Sequence, residues 1–422
     1  MRRVLSRTAV KAFSVLSLVF HLAPATAYTA DQAELAARVD RLAGFYEEDK
    51  DGNITVVDFL DRPVTDNDLK LLAAAPKLQT LILWGSQITD AGIDHLMPLK
   101  ELSELQLENT LVTDAGLAKL VALPKLRSLN LQRATGISDE GMAHVGKLPE
   151  LAYLILLYTK IGDDGMAHLK AAKKLRLLDV RGCKISDAGL AHLAPLEGLV
   201  ALKLRTSGVT DAGLAHVRNM KRLRGLALED TKVTDSGLAN LADLTELDDL
   251  NLMRVPITDA GLAHLEKLTK LRILFLRATY INGSGLVHLR NMKLLRKLDL
   301  SETSTGDEGL ANLAGMKDLV WLNLWNTRVG NEGVAQLASL PSLIYLNLDN
   351  TRVDDEGLKH LATMPKLETL NLNQTRVTDA GLKQLQSIRT LKNLELRLTA
   401  VTSAGIAELK KVLPNLNVSY DQ

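Results

Sequence analysis

A single cysteine in 422 residues, Cys183, leaves no partner for an intrachain disulfide, so no covalent staple holds this chain together. Net charge is equally scarce: 51 Lys and Arg against 50 Asp and Glu give +1, which supplies no basic face for nucleic acid. After the N-terminal segment no apolar run is a membrane candidate. The 11 prolines and 28 glycines form no linker or low-complexity stretch that would divide the chain. No nucleophile elbow, phosphate loop, zinc spacing or isolated acid pair is found either. The letters therefore give no ground for an enzyme, a metal site or a cofactor.

What is present begins with an address. Arg2, Arg3, Arg7 and Lys11 precede the uncharged run AFSVLSLVFHL, then Pro24 and the small-residue site Ala25-Thr26-Ala27. This predicts a signal peptide over 1–27, cleaved after Ala27; the alternative is a retained anchor, for which the apolar core is short. Cleavage removes four basic and no acidic residues, so 51 − 4 = 47 against 50 leaves −3. The expected mature protein is exported, either secreted or periplasmic and cell-surface, slightly acidic, and has no cysteine near its new terminus to carry a lipid.

Residues 28–53 predict a capping helix, with apolar spacing at Leu35, Ala36, Val39 and Leu42, followed by a hairpin. The stretch Asp49-Lys50-Asp51-Gly52-Asn53 has the flavour of a calcium loop. Its spacing fails in either register, and a turn at Asp51-Gly52 explains the same letters. From residue 54 to 412 one unit of 24 residues recurs about fifteen times, typified by LETLNLNQTRVTDAGLKQLQSIRT at 367–390. Leu370 and Leu372 alternate as in a strand; Leu382 and Leu385 have helical spacing. Neither half can bury its apolar face alone, so the units must stack. Residues 413–422 read as a closing half repeat.

Each unit turns at a Thr-Asp-x-Gly corner, as at Thr378-Asp379-Ala380-Gly381. The threonine or aspartate is expected to cap its own helix, and the glycine to allow close backbone approach. Thr375 and its equivalents, Thr110, Thr159, Thr231, Thr279, Thr327 and Thr351, are expected to point inward and bond loop backbone, with Cys183 in the same slot as a buried thiol. The pattern from residue 54 to about 420 resembles the leucine-rich repeat superfamily. Its Val-Thr-Asp-Ala-Gly-Leu-x-x-Leu half is similar to short repeats of exported bacterial proteins and to the cysteine-containing repeats of F-box receptors. Threonine here replaces the usual cysteine, and there is no room for an F-box. The resemblance implies an α/β solenoid, a curved horseshoe with a parallel sheet on its concave face and short α-helices outside, used for protein recognition.

Eight histidines, from His95 to His360, share one helix position with Lys119, Asn240 and Gln384, as a solvated polar slot would. The positions between the strand leucines face away from the core and are free to vary. Trp84, Trp321 and Trp325 all fall there, with Tyr153, Tyr158, Phe275 and Tyr345 also assigned to this face. Trp321 and Tyr345 should be neighbours about 5 Å apart, beside an amide ladder of Asn323, Asn347 and Asn371. Arg181, Arg205, Arg254 and Arg277 form a basic track broken by Glu229 and Asp230. The bland alternative is that aromatics merely stiffen a sheet. The functional expectation is a non-enzymatic protein that binds a protein or peptide through these aromatics and arginines. A glycan partner at Trp321, Asn323 and Trp325, or an adaptor that recruits other machinery, are the rivals.

Overall fold

The computed structural model describes residues 29–421; the expected signal peptide lies outside them. A helix over Ala30–Arg41 opens the structure, closed at its start by a reciprocal cap in which Gln32 N donates to Thr29 Oγ1 and Gln32 Oε1 accepts from Thr29 N. Leu35, Ala36 and Val39 are buried, so the helix covers the exposed end of the repeat core. Arg38 Nε reaches Asp68 Oδ1 at 2.8 Å and ties the lid to the first repeat.

Phe45–Glu48 and Ile54–Asp58 pair antiparallel as the expected hairpin. Asp49 Oδ1 accepts the backbone amides of Asp51 at 2.8 Å and Asn53 at 3.0 Å, and Gly52 takes a φ of +79° that suits glycine. The Asn53 amide, which donates to the same carboxyl, holds it below the usual aspartate range. The aspartate that suggested calcium is thus engaged by its own turn.

From Ile54 onward the strands lie parallel in chain order to Asn417–Ser419, and the whole sheet has 17 strands and remains open. The register holds equivalent residues side by side, as in Leu298, Leu322, Leu346 and Leu370, all fully buried. Strands repeat about 5 Å apart whereas helices are about 10 Å wide, so the stack bends with the sheet on the concave side. The outer pieces are α-helices in most repeats, such as Asp379–Leu385. They tighten to 3₁₀ at Asp68–Ala74, Gly261–Leu265 and Ser284–Leu289, a difference from the uniform α-helices expected.

The inward threonines do what their slot demands. Thr375 Oγ1 donates to Leu372 O at 2.6 Å, and Thr110, Thr159, Thr231, Thr279, Thr327 and Thr351 make the same bond three residues back. Cys183 is buried, but its Sγ reaches Leu156 O of the preceding repeat at 3.1 Å, and burial pushes the thiol's pKa up.

The corner departs from the expectation. Thr378 Oγ1 does cap its own helix, accepting from Ala380 N at 3.1 Å. Asp379 instead reaches into the next repeat: Oδ1 accepts Thr402 N at 2.8 Å and Oδ2 accepts Thr402 Oγ1 at 2.6 Å. The same clasp joins Asp66 to Thr89, Asp90 to Thr113, Asp187 to Thr210 and Asp355 to Thr378. The glycine makes room for that carboxylate and not chiefly for backbone: a Cβ on Gly381 would stand 2.2 Å from Asp355 Oδ1. Threonine, aspartate and glycine are three parts of one joint between repeats.

Candidate recognition face

Most residues between the strand leucines are half-buried or exposed, with Asp179, Ala227 and Asn371 buried, and Trp84, Trp321 and Trp325 all lie outside the core. Trp321 and Tyr345 occupy paired positions on adjacent strands and stack with centroids 5.3 Å apart and planes 11° from parallel. Phe275, two strands away, meets Trp321 edge-on at 6.2 Å. Three rings therefore form one contiguous apolar patch, and burial raises the Tyr345 phenol above its ordinary pKa. Trp325 is not part of that cluster; the Arg277 guanidinium covers its ring at 5.1 Å. Trp84 sits at the far end of the sheet, on the strand Thr80–Trp84.

Tyr153 and Ile155 lie on one strand, with Arg127 over the Tyr153 ring at 5.8 Å. Tyr158 and Arg254 are not on the strands as expected. They occupy the turn at the strand ends, with φ of +58° and +57°, because the chain reverses there into the left-handed region. Tyr158 lies across Gly182, where a Cβ would be 2.3 Å from its ring, and Arg133 covers it at 5.6 Å. Arg133 takes the same turn position one repeat before Tyr158, with φ of +56°, and neither it nor Arg127 was read, because the letters do not say which arginine folds over a ring.

The arginine track is neutralised within the molecule. Arg181 makes a two-point pair with Asp179 at 2.9 and 2.7 Å. Arg254 Nη2 and Arg205 Nε both reach Asp230 Oδ2 at 2.8 Å, and Arg277 pairs with Glu302. Hydrogen bonds from Arg254, then Arg205, outweigh desolvation and bring the Asp230 carboxyl down to about 2. The expected amide ladder is spent in a similar way: the side-chain oxygens of Asn323, Asn347 and Asn371 accept the backbone amides of Trp325, Asp349 and Asn373 at 3.1, 2.9 and 2.9 Å.

A family model described as a leucine-rich repeat region matches residues 159–418, and a second, a leucine-rich repeat, matches 122–144. The chain is a leucine-rich repeat protein. No curated protein matches it. Among solved structures it is similar to an internalin from Listeria monocytogenes, 21% identical over 93% of this chain and 95% of that one, with a TM-score of 0.56. It is also similar to a leucine-rich repeat protein of Leptospira interrogans, 20% identical over 83% and 91%, with a TM-score of 0.50. Those identities bear on the fold alone. The leucine-rich repeat is a scaffold typical of protein recognition and generally not catalytic. No described helix is long and apolar enough to cross a membrane, and no described group of three or more histidine, cysteine, aspartate or glutamate side chains could hold a metal ion.

Proposed function

We propose that this leucine-rich repeat chain is an exported, non-enzymatic protein that binds a protein or peptide on its concave sheet. The observation that carries the reading is the three-ring patch of Phe275, Trp321 and Tyr345 on the open face. Aromatic side chains in contact with one another and with solvent offer large apolar area at low conformational cost, the usual make-up of a binding hot spot. Asn347 lies beside the patch, and Trp325 with its Arg277 cover forms a second anchor on the same strand side. The paired arginines Arg181, Arg205 and Arg254 hold the face in shape and contribute less to affinity than free cations would.

A glycan partner draws less support, since the side-chain oxygens of Asn323 and Asn347 each already accept a backbone amide, which fixes both groups and leaves one lone pair on each oxygen for a sugar hydroxyl. The test uses the full-length chain as bait against proteins of its native extracellular surroundings. Changing Trp321, Trp325 and Tyr345 together to Ala should abolish capture while moving the unfolding midpoint little, because these positions lie outside the core. Capture that survives the triple change would overturn the reading. A saturable signal on soluble polysaccharide arrays, lost in the same variant, would favour sugar.

A further inference from the structure

The four arginines on and beside the strand face are matched by carboxylates, which leaves Lys203 and Lys297 on its strands, and further free positive charge at its edge. It collects at the N-terminal rim of the sheet, in a groove of about 330 Å³ beside the aromatic patch. Arg272, Arg296 and Lys366 line it, all exposed, and among the described residues none has a carboxylate within ion-pair distance. Asp318 is the one acidic residue of the lining, so three positive charges against one leave +2. Elsewhere along this rim cross-repeat pairing is the habit: Arg224 meets Asp248 at 3.3 Å and Lys392 meets Glu368 at 2.8 Å. The pairing lapses where the groove opens, and also at Arg127 and Arg176, which instead cover the Tyr153 ring and bond the Gly198 carbonyl. Its apolar wall is Leu294 and Ile344, 44% and 38% exposed, and Ile344 directly precedes Tyr345 of the stacked pair.

We propose that this groove binds an acidic peptide segment carrying a large apolar side chain, which continues onto the rings of Trp321 and Tyr345. The carboxylates meet Arg272, Arg296 and Lys366, and the apolar side chain covers Leu294 and Ile344. A locally positive groove on a molecule whose exported form is net negative concentrates such a segment and repels basic ones. The volume suits a few side chains, not a folded domain. This names the partner chemistry for the concave reading and rests on it for the part of the peptide that lies on the rings.

The experiment pans a random-peptide library displayed on phage against the full-length chain, then measures dissociation constants of the enriched peptides by fluorescence anisotropy. Enriched peptides should be net acidic with at least one large apolar residue. Arg272→Glu with Arg296→Glu should weaken them about tenfold or more, and Arg272→Gln with Arg296→Gln, which leaves the exposed stems in place, should weaken them less. Enrichment of neutral or basic peptides, or none above a blank surface, overturns the proposal; so does an unchanged dissociation constant in the charge-reversed chain. The aromatic variant Trp321→Ala with Tyr345→Ala separates the two readings. Loss there with none on charge reversal sinks the groove and leaves the aromatic face standing. Loss on charge reversal alone keeps the groove and removes the rings from the binding site.

Discussion

A methyl group added at Gly381 would lie 2.2 Å from Asp355 Oδ1, so Gly381→Ala must push out the carboxylate that accepts Thr378 N and Oγ1 at 2.8 and 2.7 Å. The expected cost is about 2 kcal/mol, similar to that of Asp355→Ala, since either change breaks the same clasp. In the Asp355→Ala background the obstruction is gone, and alanine in a helix is favoured over glycine by about 0.5–1 kcal/mol. Gly381→Ala should then be neutral or mildly stabilising. Urea unfolding of the two single variants and the double gives the coupling; losses that simply add would mean the glycine serves something other than the carboxylate. The threonine slot was readable because its bond stays within one repeat, from Thr375 back to Leu372. The aspartate was misread because a strict 24-residue period makes a contact to the next copy indistinguishable, in letters, from one within the same copy.

At the scale of neighbouring strands, Asp230 is shared by Arg205 of the preceding repeat and Arg254 of the following one, and its carboxyl is brought down to about 2 against an ordinary 3.8. A depressed folded-state pKa contributes stability that is fully present above 3.8 and is lost as pH falls through 2. Solvent screening at this partly exposed site reduces the contribution to the order of 1 kcal/mol. Asp230→Asn, which tolerates the local φ of +58°, should therefore destabilise the chain at neutral pH and match the parent ever more closely below about pH 4. Thermal unfolding across that range checks it, and a difference independent of pH would count against the bridge. The sequence displayed these arginines as a basic track, and Glu229 and Asp230 as interruptions. Only the turn geometry, which swings residue 230 between two repeats, turns the interruption into the neutralising partner. The stacked Trp321 and Tyr345 were legible beforehand, because parallel register fixes which side chains meet on adjacent strands. The rim groove was not, since it is defined by the absence of pairing among residues that no motif links.

Over the whole solenoid, stability is a sum of repeat and interface terms, so the array is as cooperative as its weakest interface allows. That interface follows Gly283, which stands where other repeats carry the clasping aspartate and takes a φ of +103°. Gly306 stands where the clasped threonine would be, and these loops are linked by backbone bonds alone, from Gly306 N to Asn282 O at 3.3 Å and from Ser304 N to Ile281 O at 3.0 Å. The repeat beyond is also less apolar: Thr305, fully buried and bonded to Thr303 at 2.8 Å, fills the place that Val329 and Val377 occupy elsewhere. On the other side Asp259 compensates by taking the amides of Asn282, Gly283 and Gly285, so the full loss falls on one joint, whereas Gly162 and Gly330 forfeit only the hydroxyl half of the clasp to Asp139 and Asp307. Loss of two hydrogen bonds to a carboxylate should lower the local opening free energy by about 2 kcal/mol relative to interior joints. Hydrogen exchange in mild denaturant should therefore show the amides near Gly306 and Gly309 opening before those near Gly213 or Gly381. The array should also part there into two blocks before either unfolds. Uniform protection along the interior would mean that stacking of the leucine core, and not the corner clasp, sets the strength of each joint. Because Phe275 and Trp321 stand on opposite sides of this joint, an early opening there would also separate the rings of the proposed binding patch.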